Sequence, residues 1–412
     1  MSESAPAPEP AIGDPPVAGA AARPAVALSR LVPALGVGQI IAWGTLFYSI
    51  AVLGPPMARD IGATDTELYG SFTAGLFVSG LVAPWAGRSI DRHGGSRVLA
   101  SGSLTAVCAC MLLAFARGPA TMAAGWVVAG AAMGMGLYDA AFATLHRVAG
   151  GSYRRAVTAL TLFGGFASTV FWPLSQFILE REGWRAAFGV HAALNLAVAL
   201  PLHLVAVPGA SRRSTGTMAV VARHRAGGSR RVFIWLAAAL SIAAFLAAGV
   251  SAHLVTLLGA GGIAPRDAVL AGALIGPMQV AGRLMEFAFS DRLRPLAVGT
   301  LAFALMAGAL VVLALVHGAW IVALAFALLY GWSNGVLTIV RGTVPGVLFG
   351  ERDYGALLGR LARPQFMLKS VAPLVVTLLA GAGAGGRVAL VALAAGGFAA
   401  LASYLIAIRA SR

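Results

Sequence analysis

Four ionisable side chains, Asp139, Arg283, Glu286 and Lys369, stand inside apolar runs where a lipid-facing helix carries none. The stretch QVAGRLMEFAFSDRLRP, residues 279–295, closes an apolar run that begins near Ala268, yet it holds Arg283 and Glu286 before its polar end. Arg283 lies about 22 Å along that run at ~1.5 Å per residue. An arginine near the centre of a membrane helix costs about 2.5–3.5 kcal/mol on insertion scales, so an anion, an acidic partner or a water-filled cavity has to offset it. The other reading is a long stem snorkelling to the nearer surface. Glu286 shares a helix face with Arg283 at i,i+3. It either neutralises the arginine or takes up a proton and frees it for a substrate.

Lys369 is the only lysine in the chain, every other cation being arginine. A compact ammonium that can change its protonation when buried suits a binding site, whereas its distance from Arg363 also allows snorkelling. Asp139, in GLYDAAFATLHR, must face protein or water, either to couple protons or to pair with Arg147. Arg341 is nearly a full span from Ala319 and reads as an interface arginine. His191 and Asn195 in one apolar span, His253 in another and Asn334 in a third are lower candidates for a cavity, since a lone polar group in such a helix is commonly packed and hydrogen-bonded. No nucleophile–base set, metal cluster or P-loop occurs, so neither an enzyme nor a cofactor is expected, and transport energy would come from a gradient.

The elements that position these residues follow from composition. The 412 residues are 59% hydrophobic and 11% charged, with a mean hydropathy of +0.84; soluble domains average about 45–50% apolar and 25% charged. Long continuous runs without period-two alternation predict helices rather than a barrel. About twelve spans are expected by the ~20-residue criterion, beginning near Leu31, Leu68, Val98, Thr121, Val157, Ala186, Val232, Ala268, Leu296, Ala319, Pro364 and Val388. The net charge of +15 sits in short alternate loops, which places both termini in the cytoplasm and excludes nucleic acid as the partner. Aligning Asp91-Arg92 with Asp291-Arg292 sets one half over the other, with Ala83 matching Arg283 and Asp139 matching Asn334. The predicted class is an all-α membrane protein of two pseudo-symmetric six-helix bundles, 28–207 and 232–412, with a disordered tail at 1–27 and a basic linker at 208–231.

GRSIDRHGGSR, residues 87–97, resembles the loop signature that follows the second helix of the major facilitator superfamily, and GWRAAF, residues 183–188, is similar to that superfamily's sequence at its sixth helix. The resemblance implies alternating access about a central cavity. It also implies a gating loop in which Gly87, Asp91, Arg92 and Arg97, with Asp291 and Arg292 in the second half, form a charge relay between the bundles. GRLMEFAFSD and FMLKSVAP look like the cationic segments of the oxalate–formate and monocarboxylate porter branch. That narrower likeness implies that Arg283 and Lys369 bind a substrate carboxylate. Phe287 departs from the pattern by standing where the branch usually has glycine. The expectation is a monomeric secondary transporter of the plasma membrane that moves a small organic anion with protons or a counter-substrate. An efflux pump using Asp139 and Glu286 for a neutral or cationic compound is one alternative, and a non-transporting sensor of the same fold is another.

Overall fold

Twelve helical passes account for nearly all of the described chain. The computed structural model describes residues 28–208, 229–290, 292–315, 318–350, 352–381 and 386–412. The tail 1–27, most of the linker 208–231, and Asp291 of the gating loop lie outside the described residues. The passes are α1 (Leu28–Asp60), α2 (Asp65–His93), α3 (Gly95–Ala114), α4 (Pro119–Gly136 continued by Tyr138–Ala149), α5 (153–182), α6 (184–205), α7 (Arg230–Ala260), α8 (Pro265–Phe289), α9 (Pro295–Ala314), α10 (Trp320–Phe349), α11 (Tyr354–Gly381) and α12 (Arg387–Ala410). Among the described residues, nine segments are long and apolar enough to cross a membrane, and the segment Pro119–Val205 supplies three passes. It divides at Gly150 (φ 48°) and Gly183 (φ 81°), conformations that cost a side chain and that glycine adopts freely. The remaining pass is α8, a single helix from Pro265 to Phe289.

Helix is the solution in hydrocarbon because it satisfies every backbone donor and acceptor within the segment. Ends are marked by ordinary chemistry. Thr64 and Glu67 form a reciprocal capping box at the start of α2, and Pro265 and Pro295 open α8 and α9. The eleventh pass begins at Tyr354, ten residues before the Pro364 expected to start it. Both Pro364 and Pro373 lie inside that helix, where neighbouring helices can re-satisfy the freed carbonyls.

The internal repeat appears in the packing. α2 lies on α4, α3 on α4 and α6, and α1 on α5 and α6; in the second half α8 lies on α10, α9 on α10 and α12, and α7 on α11 and α12. Two seams join the halves, α2 against α11 and α5 against α8. Ala83 and Arg283, matched by the sequence repeat, occupy these two seams in different ways. Ala83 presents its carbonyl to Gly359, while Arg283 reaches across with its guanidinium.

The halves are closed at the arginine-rich end, where α2, α8, α10 and α4 finish and α3, α5, α9 and α11 begin. Gly87 of α2 meets the carbonyl of Gly355 so closely that a Cβ could not fit, and a Cβ on Gly359 would strike Ala83 and Pro84. Toward the opposite end, a cavity of about 610 Å³ opens between α1 and α5, lined by Ala51, Ser168, Thr169, Trp172 and Gln176 among others. Gly87→Val is therefore expected to wedge α2 from α11 and open the arginine-rich end. In a chain whose Cys108 and Cys110 are serine, the label is a cysteine placed at Ser290, itself only 6% exposed. Its reaction with a membrane-impermeant maleimide should rise about tenfold or more in the valine variant, the response to a loss of roughly 1.4 kcal/mol of closure.

Candidate functional site

Arg283 and Glu286 share a face of α8 but do not pair. Both are buried, at 5% and 3% exposure. Arg283 Nη1 donates to the carbonyl of Thr161 at 3.0 Å, near the break in α5 that follows Gly165. Gly165 provides the room, since a Cβ there would meet the guanidinium. Arg283 Nε is buried without a hydrogen-bond partner among the described residues.

Glu286 accepts instead from Arg154 Nε and from Thr158 Oγ1, both at 2.6 Å. Arg154 also donates to the Ser290 carbonyl at 2.6 Å. Neutralisation of Arg283 by Glu286, one of the two readings that the sequence left open, is not what the side chains do here. Both side chains point at α5, where Arg154 and Thr158 meet the carboxylate and the Thr161 carbonyl meets the arginine. The Arg154–Glu286 pair fastens α5 to α8 near the closed end. A hydrogen bond to a charged group contributes about 1.5–3 kcal/mol, so Glu286→Gln is expected to shift the balance toward opening by about an order of magnitude. The Ser290 cysteine label reads that shift.

Asp139 stands in the first turn of the Tyr138–Ala149 segment of α4, where an acid is favoured at the positive helix end. It is 7% exposed. Its partner is not Arg147 but Arg341 of α10, in a two-bond pair: Nε to Oδ1 at 2.9 Å, and Nη2 to Oδ2. Arg341, read from the sequence as an interface arginine, reaches from the second half to an acid of the first. Asn334 is two turns away on the same helix and half-buried. Arg147 donates to the backbone carbonyl of Asp91.

Lys369 of α11 lies over aromatic rings of α1, its Nζ 3.9 Å from the Phe47 centroid and 5.5 Å from that of Trp43. It interacts electrostatically with Asp139 and Arg341 and makes no ion pair among the described residues. Trp43, Phe47 and Tyr48 belong to a π-helical turn, Trp43–Tyr48, whose i→i+5 pattern brings residues four and five apart onto one face. The reading of the sequence missed these rings and Arg154; three aromatics at 43, 47 and 48 in a Gly/Ala-rich span were the available signal. Tyr138 packs on Trp43 at 5.2 Å, and Arg283 interacts electrostatically with Tyr48 and Tyr138. The site is therefore one polar centre bounded by α1, α4, α8, α10 and α11.

Other candidates lie elsewhere. His191 bonds Ser175, and Asn195 donates to Thr45, so both hold the first half together rather than facing its partner. His253 marks a kink in α7 and bonds the Pro373 carbonyl at 2.9 Å. Asp91 caps the start of α11, accepting from the amides of Gly355 and Ala356 at 2.9 and 2.7 Å. Arg92, Arg97 and Arg292 are exposed and pair with no acid among the described residues, so the expected charge relay is here a carboxylate on a helix N-terminus. Tyr153 and Tyr354 both donate to the Gly342 carbonyl, with His146 stacked on Tyr354 at 3.9 Å. Phe287, one turn after Arg283, is 41% exposed.

The profile of the Major Facilitator Superfamily matches residues 35–359. Among solved structures, the chain is similar to the fucose:proton symporter FucP of E. coli, with a TM-score of 0.70 and 15% identity, over 93% of this chain and all of that one. A second FucP structure, in the outward conformation, gives a TM-score of 0.71. The human organic anion transporter MFSD10 (TETRAN) gives 0.69 at 16% identity, over 92% of this chain and 99% of that one. A comparison with curated proteins found no match. Identities this low establish a common fold.

Proposed function

Because the chain belongs to the major facilitator superfamily, we propose that its secondary transport serves a small organic anion, bound between Arg283 and Lys369. The observation that carries this reading is a centre rich in donors and short of acceptors. Arg283 Nε has no hydrogen-bond partner among the described residues, Lys369 rests on aromatic faces and forms no ion pair among those residues, and the nearby carboxylates Asp139 and Glu286 are each held by an arginine of the opposite half. Cationic side chains held at low dielectric favour an anion. The same pairings weigh against a cation-efflux pump that would need those two carboxylates free.

Residues 28–207 and 232–412 act as the two rocking bodies, in a monomer. The positive-inside bias puts the arginine-rich end and both termini on the cytoplasmic side of the plasma membrane, so the closed end described here belongs to an outward-facing state. Protonation of Asp139 or Glu286 would undo an ion pair between the bodies, which makes each a candidate coupling site alongside exchange against a counter-substrate. The test is uptake of a carboxylate panel into proteoliposomes under an imposed proton gradient. Wild type is expected to accumulate a carboxylate, and Lys369→Met to reduce initial uptake about tenfold or more by removing one of two charges. Equal uptake by Lys369→Met would remove lysine from the site. An absence of any flux would support a sensor.

A further inference from the structure

We propose that the anion is an aryl carboxylate, a carboxylate borne on an aromatic ring without a free amine. This deepens the anion reading and rests on it. The π-helical turn of α1 sets Trp43, Phe47 and Tyr48 toward the second half, as the contact of Phe47 and Trp43 with Lys369 demonstrates. The three rings are half-buried. They meet as a tilted and edge-to-face array, Trp43 to Phe47 at 5.2 Å, Phe47 to Tyr48 at 5.4 Å and Trp43 to Tyr138 at 5.2 Å. Aromatic rings prefer such offset and edge-on neighbours, so the array can extend by one more ring.

Lys369 decides what that ring carries. Its ammonium rests on Phe47 and Trp43 in place of an acid, an electrostatic attraction that strengthens where water is excluded. An aliphatic carboxylate that drew the ammonium away would leave those ring faces uncovered. An aryl carboxylate takes the charge with its carboxylate and covers the vacated faces with its ring. Trp43 Nε1 and Arg283 Nε are two buried donors without a hydrogen-bond partner among the described residues. An α-amino group would find no free acid here, because Asp139 is engaged by Arg341 and Glu286 by Arg154, so aromatic amino acids are disfavoured. Trp172, which lines the open groove between α1 and α5, meets Tyr48 edge-on at 5.9 Å.

The experiment is competition against labelled benzoate in proteoliposomes of the full chain, with cyclohexanecarboxylate, acetate and phenylalanine as competitors. Cyclohexanecarboxylate matches benzoate in size and charge and lacks only the π face. Benzoate is expected to compete at least fivefold better than cyclohexanecarboxylate, acetate to be weaker still, and phenylalanine to compete at least tenfold worse than benzoate. Phe47→Leu should narrow the benzoate–cyclohexanecarboxylate gap; should that variant fail to fold, Tyr48→Leu takes its role. A gap below fivefold in wild type, or one unchanged in the folded ring variant, overturns the aryl assignment and leaves the anion reading standing. If no carboxylate competes or is carried, both fall together.

Discussion

Arg283→Ala is expected to lower carboxylate affinity at least a hundredfold, about 2.8 kcal/mol. The guanidinium offers a planar fork to a carboxylate, and each charged hydrogen bond contributes about 1.5–3 kcal/mol. In this state one of its donors is engaged by the Thr161 carbonyl at 3.0 Å and Nε is free. Replacing arginine with lysine keeps the charge and loses the fork, so Arg283→Lys should recover roughly a tenth of the lost affinity or less. Folding should survive, because the alanine variant loses a single bond to a backbone carbonyl and relieves a buried charge. Isothermal titration with benzoate and a thermal melt in detergent, run on the same preparations, separate affinity from stability. An Arg283→Ala protein that melts normally and binds normally would place the anion elsewhere.

The second large effect is on stability. Asp139→Ala leaves Arg341, whose side chain is 21% exposed, beside Lys369 without its carboxylate, and the expected cost is at the lower end of the about 3–5 kcal/mol that breaking a buried pair from one side takes. The pair is well formed, with Arg341 Nε 2.9 Å from Oδ1 and a second bond through Nη2. Asp139→Leu combined with Arg341→Met removes both charges and should restore most of the loss, since apolar replacement of a whole buried pair is commonly neutral or better. The two single variants and the double form a cycle whose coupling energy isolates the pair. Destabilisation of the double variant equal to the sum of the singles would mean that the two side chains contribute independently.

These effects trace what a linear reading can and cannot reach. The passes were legible because a bilayer imposes length and apolarity locally, and the repeat was legible because Asp91-Arg92 and Asp291-Arg292 recur in register. Arg283 was legible for the same reason: a cation deep in an apolar run is conspicuous wherever the chain later puts it. Its surroundings were not. Glu286 lies one turn from Arg283, which suggests a pair, yet it meets Arg154, 132 positions away, because α5 crosses α8 with a cation and a hydroxyl on its facing side. Asp139 and Arg341 are 202 positions apart, and nothing local announces their meeting. The aromatic wall was hidden by a different cause. Trp43, Phe47 and Tyr48 look like ordinary membrane apolar residues until a widened turn gathers them on one face. Pro364 misled the start of α11 because a rule learned from water-exposed helices loosens where neighbouring helices close around the backbone.

The most direct measurement is binding of benzoate against benzamide, its uncharged counterpart of nearly the same shape, by isothermal titration to the purified chain. Benzoate should bind and lose at least a hundredfold in affinity in Arg283→Ala, while benzamide should bind at least tenfold more weakly to wild type and be indifferent to that substitution. Equal affinity for the two compounds, or binding of benzoate that survives the loss of Arg283, would contradict a cationic site at the centre of this transporter.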